Sequence, residues 1–146
     1  IRDRSPSRGL GDVYKRQSMR QAGIIAAAGI VALESMVERL ADDHENARRL
    51  ATGLQSIIGF KVDAENVQTN ILFAHVEGND GSQLAAAINE RGIRFYDLGE
   101  LGWRFVTGYG ITSDDIDHSL DVVETTVREF REGRVTVSVS NAPSRL

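Results

Sequence analysis

The chain has 146 residues, 41% of them hydrophobic and 26% charged, with no cysteine and a formal net charge of −4. This is the composition of a soluble globular domain of one core, and it excludes a disulfide framework and thiolate metal sites. Residues 18–132 carry ten basic groups against nineteen acidic ones, so the body of the chain repels phosphate and no nucleic-acid partner is expected.

Residues 1–17 differ from the rest. They hold Arg2, Arg4, Arg8, Lys15 and Arg16 against Asp3 and Asp12, have no apolar period, and are dominated by loop-formers around Ser5-Pro6-Ser7-Arg8-Gly9. The wording IRDRSPSRGLGDVYKRQ resembles adaptor-derived sequence carried at the ends of assembled reads, and the segment is set apart from the fold.

Ser18 is placed to cap a helix running to about Glu34. Its small and apolar residues, Ala22 to Leu33, lie nearly all round, which predicts a helix buried on most sides against a larger partner surface. The run is about twelve residues, short of the roughly 20 a bilayer span needs, so no membrane partner is expected. Ser35 and Glu38 then form a capping box for a second helix, with Val37, Leu40, His44, Ala47, Ala51, Leu54 and Ile58 on its buried stripe. Asp42, Asp43, Glu45, Arg48 and Arg49 fall on its solvated side, and Gly59 ends it.

Phe60–Val62 reads as a short strand. Asn70–Val76, apolar on both alternating faces, reads as a central one. Ser82 opens a helix through Leu84, Ala87 and Ile88 that stops at Gly92, and Ile93–Tyr96 reads as a strand followed by a turn to Gly102. Trp103, Phe105 and Thr107 then alternate with Arg104 and Val106, the period of a strand. Gly108-Tyr109-Gly110 turns the chain, and Thr112, with Asp115 as capping partner, opens a last helix through Ile116, Leu120, Val123, Val127 and Phe130. Residues 133–146 read as a polar tail. The order describes an α+β domain over residues 18–132: a small, mostly antiparallel sheet with helices on one side, preceded by a two-helix segment.

His44, His75 and His118 are scattered without ligand spacing, and neither acidic cluster follows a calcium-loop pattern, so no metal is expected. Gly108-Tyr109-Gly110 is too short for a phosphate-binding signature, and no serine sits in a nucleophile elbow. The two lysines are Lys15 and Lys61; nothing around Lys61 promises the desolvated, electropositive pocket a Schiff-base lysine needs. Two arginines remain. Arg104, on a strand face with Val106, requires an anion or water, and the pattern admits either a sheet ion pair or a bound ligand. Arg20, beside the most apolar helix, could pair nearby or reach an anion of a partner chain. The residues alone give an anion-binding domain and no catalyst.

Ser18-Met19-Arg20-Gln21-Ala22-Gly23-Ile24-Ile25-Ala26-Ala27-Ala28-Gly29 resembles the segment that opens the C-terminal domain of the threonine aldolases, pyridoxal-phosphate lyases of the aspartate-aminotransferase fold type. Further matches follow in the family's order: Glu38 to His44, Ala47 to Ala51, Gln68 to Ile71, and Arg104-Phe105-Val106-Thr107. The resemblance implies an intact protein that cleaves a threonine-type β-hydroxy-α-amino acid to glycine and an aldehyde, cytoplasmic and homo-oligomeric, as a tetramer. It implies that the cofactor-binding lysine and its partners lie in a large N-terminal domain that is missing, so this piece is expected to be inactive alone. It assigns Arg104 to the substrate's α-carboxylate and Arg20 to the cofactor phosphate region across a subunit interface. Gly108 stands where many members have histidine. Two alternatives stay open: another pyridoxal-phosphate lyase or aminotransferase of the same fold type, and a free-standing small-molecule-binding α+β module.

Overall fold

The computed structural model describes residues 20–135, which fall into two compact units dividing between Arg39 and Leu40. The first and last segments set apart on composition lie outside the described residues, apart from 133–135.

The larger unit is built on a four-stranded sheet, β1 (Phe60–Val62), β2 (Ile71–Val76), β3 (Tyr96–Asp97) and β4 (Trp103–Val106), in the spatial order β1-β2-β4-β3 with every pair antiparallel. Three helices, α2 (Leu40–Ser56), α3 (Gly81–Glu90) and α4 (Ser113–Arg131), complete the unit. Strand alternation divides the sheet into two unlike faces. Phe60, Val62, Leu72, Ala74, Trp103 and Phe105 point into one core with Leu54, Ile88 and Val123 of the helices. Lys61, Ile71, Phe73, His75, Tyr96 and Val106 are exposed on the opposite face, where Arg104 is half-buried. The fold is therefore α+β with helices on one side of a small antiparallel sheet, as the pattern predicts, and β2 is central.

Aromatic packing fixes the far edge. Phe95 lies 4.7 Å from Trp103 and 4.6 Å from Phe105, ring centre to ring centre, and Phe60 meets Trp103 edge-on at 5.5 Å. Such pairs add to the burial that drives the core. The strand expected over Ile93–Tyr96 is shorter: the ladder forms only at Tyr96–Asp97, and Ile93 and Phe95 are held by side-chain packing against the core.

The helix termini follow local chemistry where the residues allow it. Thr112 Oγ1 accepts from the Asp115 amide at 3.2 Å while the Asp115 carboxylate accepts from the Thr112 amide at 2.9 Å, the reciprocal capping box expected there. α3 is followed by Gly92 at φ +96, a conformation that favours glycine. The stripe of α2 differs from its expected phase. Asp43, Asn46, Ala47, Leu50, Ala51 and Leu54 are buried on it, followed by Ile57. Ile58 is 75% exposed, because the helix ends at Ser56 and residue 58 no longer keeps helical phase. Asp43, assigned from pattern to the solvated side, is 3% exposed; its place on the 43–46–47–50 stripe turns it towards the core.

The described part of the smaller unit holds the helix α1 (Ala22–Val31), extended by a π-helical turn at Ala32–Met36. It begins after Gln21, which is left-handed at φ 57, so the helix starts later than expected. Ser18 lies outside the described residues. Ser35 caps nothing: the helical run continues through it, and α2 starts only at Leu40. None of the residues of α1 is buried, contrary to the burial its composition predicts. Ile24, Ile25, Ile30, Val31 and Leu33 are all more than half exposed. No helix among the described residues is long and apolar enough to cross a membrane.

Candidate anion-binding face

The strand that carries Arg104 is anchored at both ends. Before it, Gly102 has φ +86, and a Cβ there would meet the Ala74 carbonyl oxygen at 2.8 Å and His75 Nδ1 at 3.0 Å. Only glycine fits that approach. After it, buried Thr107 donates its amide to the Asn70 carbonyl at 2.9 Å and its hydroxyl to the Asp43 carbonyl at 2.6 Å. Asn70 Nδ2 returns a bond to the Thr107 carbonyl at 2.6 Å, and Asn46 Nδ2 donates to the Ile111 carbonyl at 2.9 Å. These polar residues tie β2, β4 and the following loop to α2. Sequence reasoning passed over this role for Asn46, Asn70 and Thr107; the only local hint was a polar residue at each end of a paired apolar run.

Between those anchors Arg104 stands on the helix-free face. The register places it opposite Phe73 of β2 and opposite Tyr96 of β3. Its guanidinium carbon lies 4.8 Å from the centre of the Tyr96 ring, a cation–π contact. Its Nε is buried and has no hydrogen-bond partner. A buried donor without an acceptor costs about 1–3 kcal/mol, more for a charged group. The surrounding aromatics and β-branched residues supply no anion. Of the two readings the pattern allowed, a sheet ion pair is absent among the described residues. What the strand presents is a cation in an apolar frame with an unmet demand for an acceptor.

The other ionisable groups are paired or scattered. Lys61 Nζ lies 2.8 Å from a Glu77 carboxylate oxygen; that hydrogen bond, with the charge behind it, raises the lysine's pKa and lowers the glutamate's. Arg49 grips Asp117 in a two-point bond at 2.7 and 2.6 Å, joining α2 to α4. Arg91 meets Glu129 at 2.5 Å, joining α3 to α4. Among the described residues no group of histidines and carboxylates could hold a metal ion. Arg20 is exposed in the turn before α1 and belongs to the smaller unit.

The described residues do not by themselves fit pyridoxal phosphate. Covalent attachment needs an amine that can lose its proton, and Lys61, the one described lysine, is held charged by Glu77.

Residues 13–77 match the family model of the beta-eliminating lyases, a stretch that includes Arg20 and β2 and stops before Arg104. Low-specificity L-threonine aldolase 1 of Arabidopsis thaliana is 33% identical over 119 residues, covering 78% of this chain and 33% of that protein. Probable low-specificity L-threonine aldolase 2 of the same plant is 30% identical over 109 residues, covering 73% and 31%. Low specificity L-threonine aldolase of Escherichia coli strain K12 is 44% identical over 72 residues, covering 49% and 20%. The matches thus span about a third or less of each relative's length. On this likeness the chain is identified as a relative of the low-specificity L-threonine aldolases.

Proposed function

We propose that this chain is the substrate-carboxylate part of a threonine-aldolase-like enzyme that depends on pyridoxal phosphate. The whole enzyme cleaves threonine-type β-hydroxy-α-amino acids to glycine and an aldehyde. The observation that carries the reading is Arg104: a strand-borne guanidinium on the open face of the sheet, half-buried beside aromatic neighbours and without an ion pair among the described residues. A planar guanidinium matches a carboxylate in two-point geometry. Fixing the α-carboxylate sets the direction of the Cα–Cβ bond that breaks, which is a positioning role. The relatives' printed names support threonine as the simplest substrate.

In this reading Arg20, as the family resemblance implies, reaches the cofactor phosphate region across a subunit interface. The lysine and the proton-handling groups come from the portion of the relatives that this chain does not span. The exposed apolar residues of α1 and of the sheet's open face support assembly into a homo-oligomer, since such patches mark protein interfaces, and the family resemblance implies a tetramer.

The test exchanges the aligned segment of low-specificity L-threonine aldolase 1 of Arabidopsis thaliana for the corresponding residues of this chain and measures glycine release from threonine. The chimera is expected to be active and to lose at least about a hundredfold in kcat/KM on Arg104→Leu, the loss of a two-point charged contact. An active chimera that ignores Arg104→Leu refutes the reading. The 146-residue chain alone, given pyridoxal phosphate, is expected to release no glycine.

A further inference from the structure

Arg104 is not simply exposed; its two cross-strand neighbours govern which atoms it offers. Phe73 stands directly opposite on one side and Tyr96 on the other. The Tyr96 ring lies beneath the guanidinium, 4.8 Å from its carbon, and Nε is sealed from solvent although the residue as a whole is only half-buried. The exposure that remains therefore lies at the outer end of the side chain. We propose that Tyr96 is a positioning residue for Arg104: its ring, on the face of the guanidinium, holds the orientation in which Nε stays buried and the two Nη nitrogens are the edge that meets a carboxylate end-on. This rests on the reading of Arg104 as the carboxylate clamp.

The chemistry follows from the shape of the group. A guanidinium can engage a carboxylate side-on, through Nε and one Nη, or end-on, through both Nη nitrogens. Side-on binding needs Nε at the surface, and here Nε is buried. Tyr96 serves through its π face, so its hydroxyl is dispensable. An aromatic under the cation also removes rotamer freedom that a flexible arginine would otherwise lose on binding. Phe73, 46% exposed, closes the other flank without a charge or a donor of its own.

The test is nitrogen-15 NMR of arginine side chains in the 146-residue chain, with the Arg104 signals assigned by their loss in Arg104→Lys. In the unchanged protein the Arg104 Hε is expected upfield, shielded by the ring, and slow to exchange with water. Tyr96→Phe should keep both properties. Tyr96→Leu should abolish the ring shift and speed Hε exchange about fivefold, the population change that removal of a partly exposed cation–π contact permits. The inference is overturned if Tyr96→Leu leaves shift and exchange unaltered, or if Tyr96→Phe loses as much as Tyr96→Leu. Sodium acetate, compared with sodium chloride at equal ionic strength, then probes the presented edge. Movement of the Nη signals with Nε unmoved supports end-on engagement, and equal movement of Nε overturns it. If acetate moves no Arg104 signal while the Tyr96 results hold, the carboxylate-clamp reading fails and the positioning by Tyr96 stands.

Discussion

Replacing Arg104 with methionine should make the fold more stable. An arginine kept for structure earns its place through ion pairs or hydrogen bonds, and Arg104 has neither among the described residues; its Nε is buried without an acceptor. An unsatisfied buried donor costs about 1–3 kcal/mol. Against that stands the cation–π interaction with Tyr96, which the substitution removes and which is worth about 0.5–1 kcal/mol at a partly exposed site. Methionine keeps most of the length and packs against Phe73 and Val106 with nothing left to satisfy. The balance is a gain on the order of 1 kcal/mol, and with a urea slope of about 1–3 kcal/mol/M the midpoint should rise by about 0.5 M. Trp103, the chain's one tryptophan and 3% exposed, reports the transition by its fluorescence. A fall in midpoint at constant slope would show that Arg104 belongs to the scaffold and would refute the functional reading.

Gly102→Ala should destabilise the larger unit by at least about 2 kcal/mol, from a left-handed backbone combined with a Cβ 2.8 Å from the Ala74 carbonyl oxygen, read by the same fluorescence. Thr107→Val keeps the shape but removes the hydroxyl bond to the Asp43 carbonyl, and thermal unfolding should show a loss of about 1–2 kcal/mol. Leu54→Ala, at a site with no exposure, should cost about 2–5 kcal/mol, again by urea titration. The Asp117 carboxyl is held below its ordinary pKa by its hydrogen bond to Arg49. A depressed folded-state pKa gives stability that is present above the unfolded value of about 3.9 and disappears as pH falls through the folded value. Asp117→Asn should therefore flatten the acid limb of a midpoint-against-pH curve below about pH 4 and leave its slope near neutrality unchanged.

Much of this was legible from spacing. The alternation from Trp103 to Thr107 placed Arg104 on the face of Val106 and away from the core, and that is where it stands. Thr112 and Asp115 announced their cap, because a capping box is settled within four residues. What escaped depended on partners remote in sequence. Asp43 looks like any acidic helix residue until it is seen buried, its carbonyl taking a bond from Thr107, sixty-four positions away. Ser35 and Glu38 have the spacing of a cap, but the π-helical turn runs through Ser35, and no local rule forbids that. The placement that matters most, Tyr96 beneath Arg104, exists only because β3 pairs with β4 in one particular register. A one-residue slip would send the ring to the other side.

The sheet order also sets a timetable. β1 and β2 are separated by residues 63–70, while β2 and β4 are separated by residues 77–102, with α3 in between. Each doubling of a closed loop adds about 0.6 kcal/mol of entropic penalty, so the second closure is harder by roughly 1 kcal/mol. During refolding the hairpin-like pair should form early and the arginine strand dock late, after α3 has brought its neighbours round. Trp103 and Phe105 thus enter the core in the same late step that sets Arg104 on the open face.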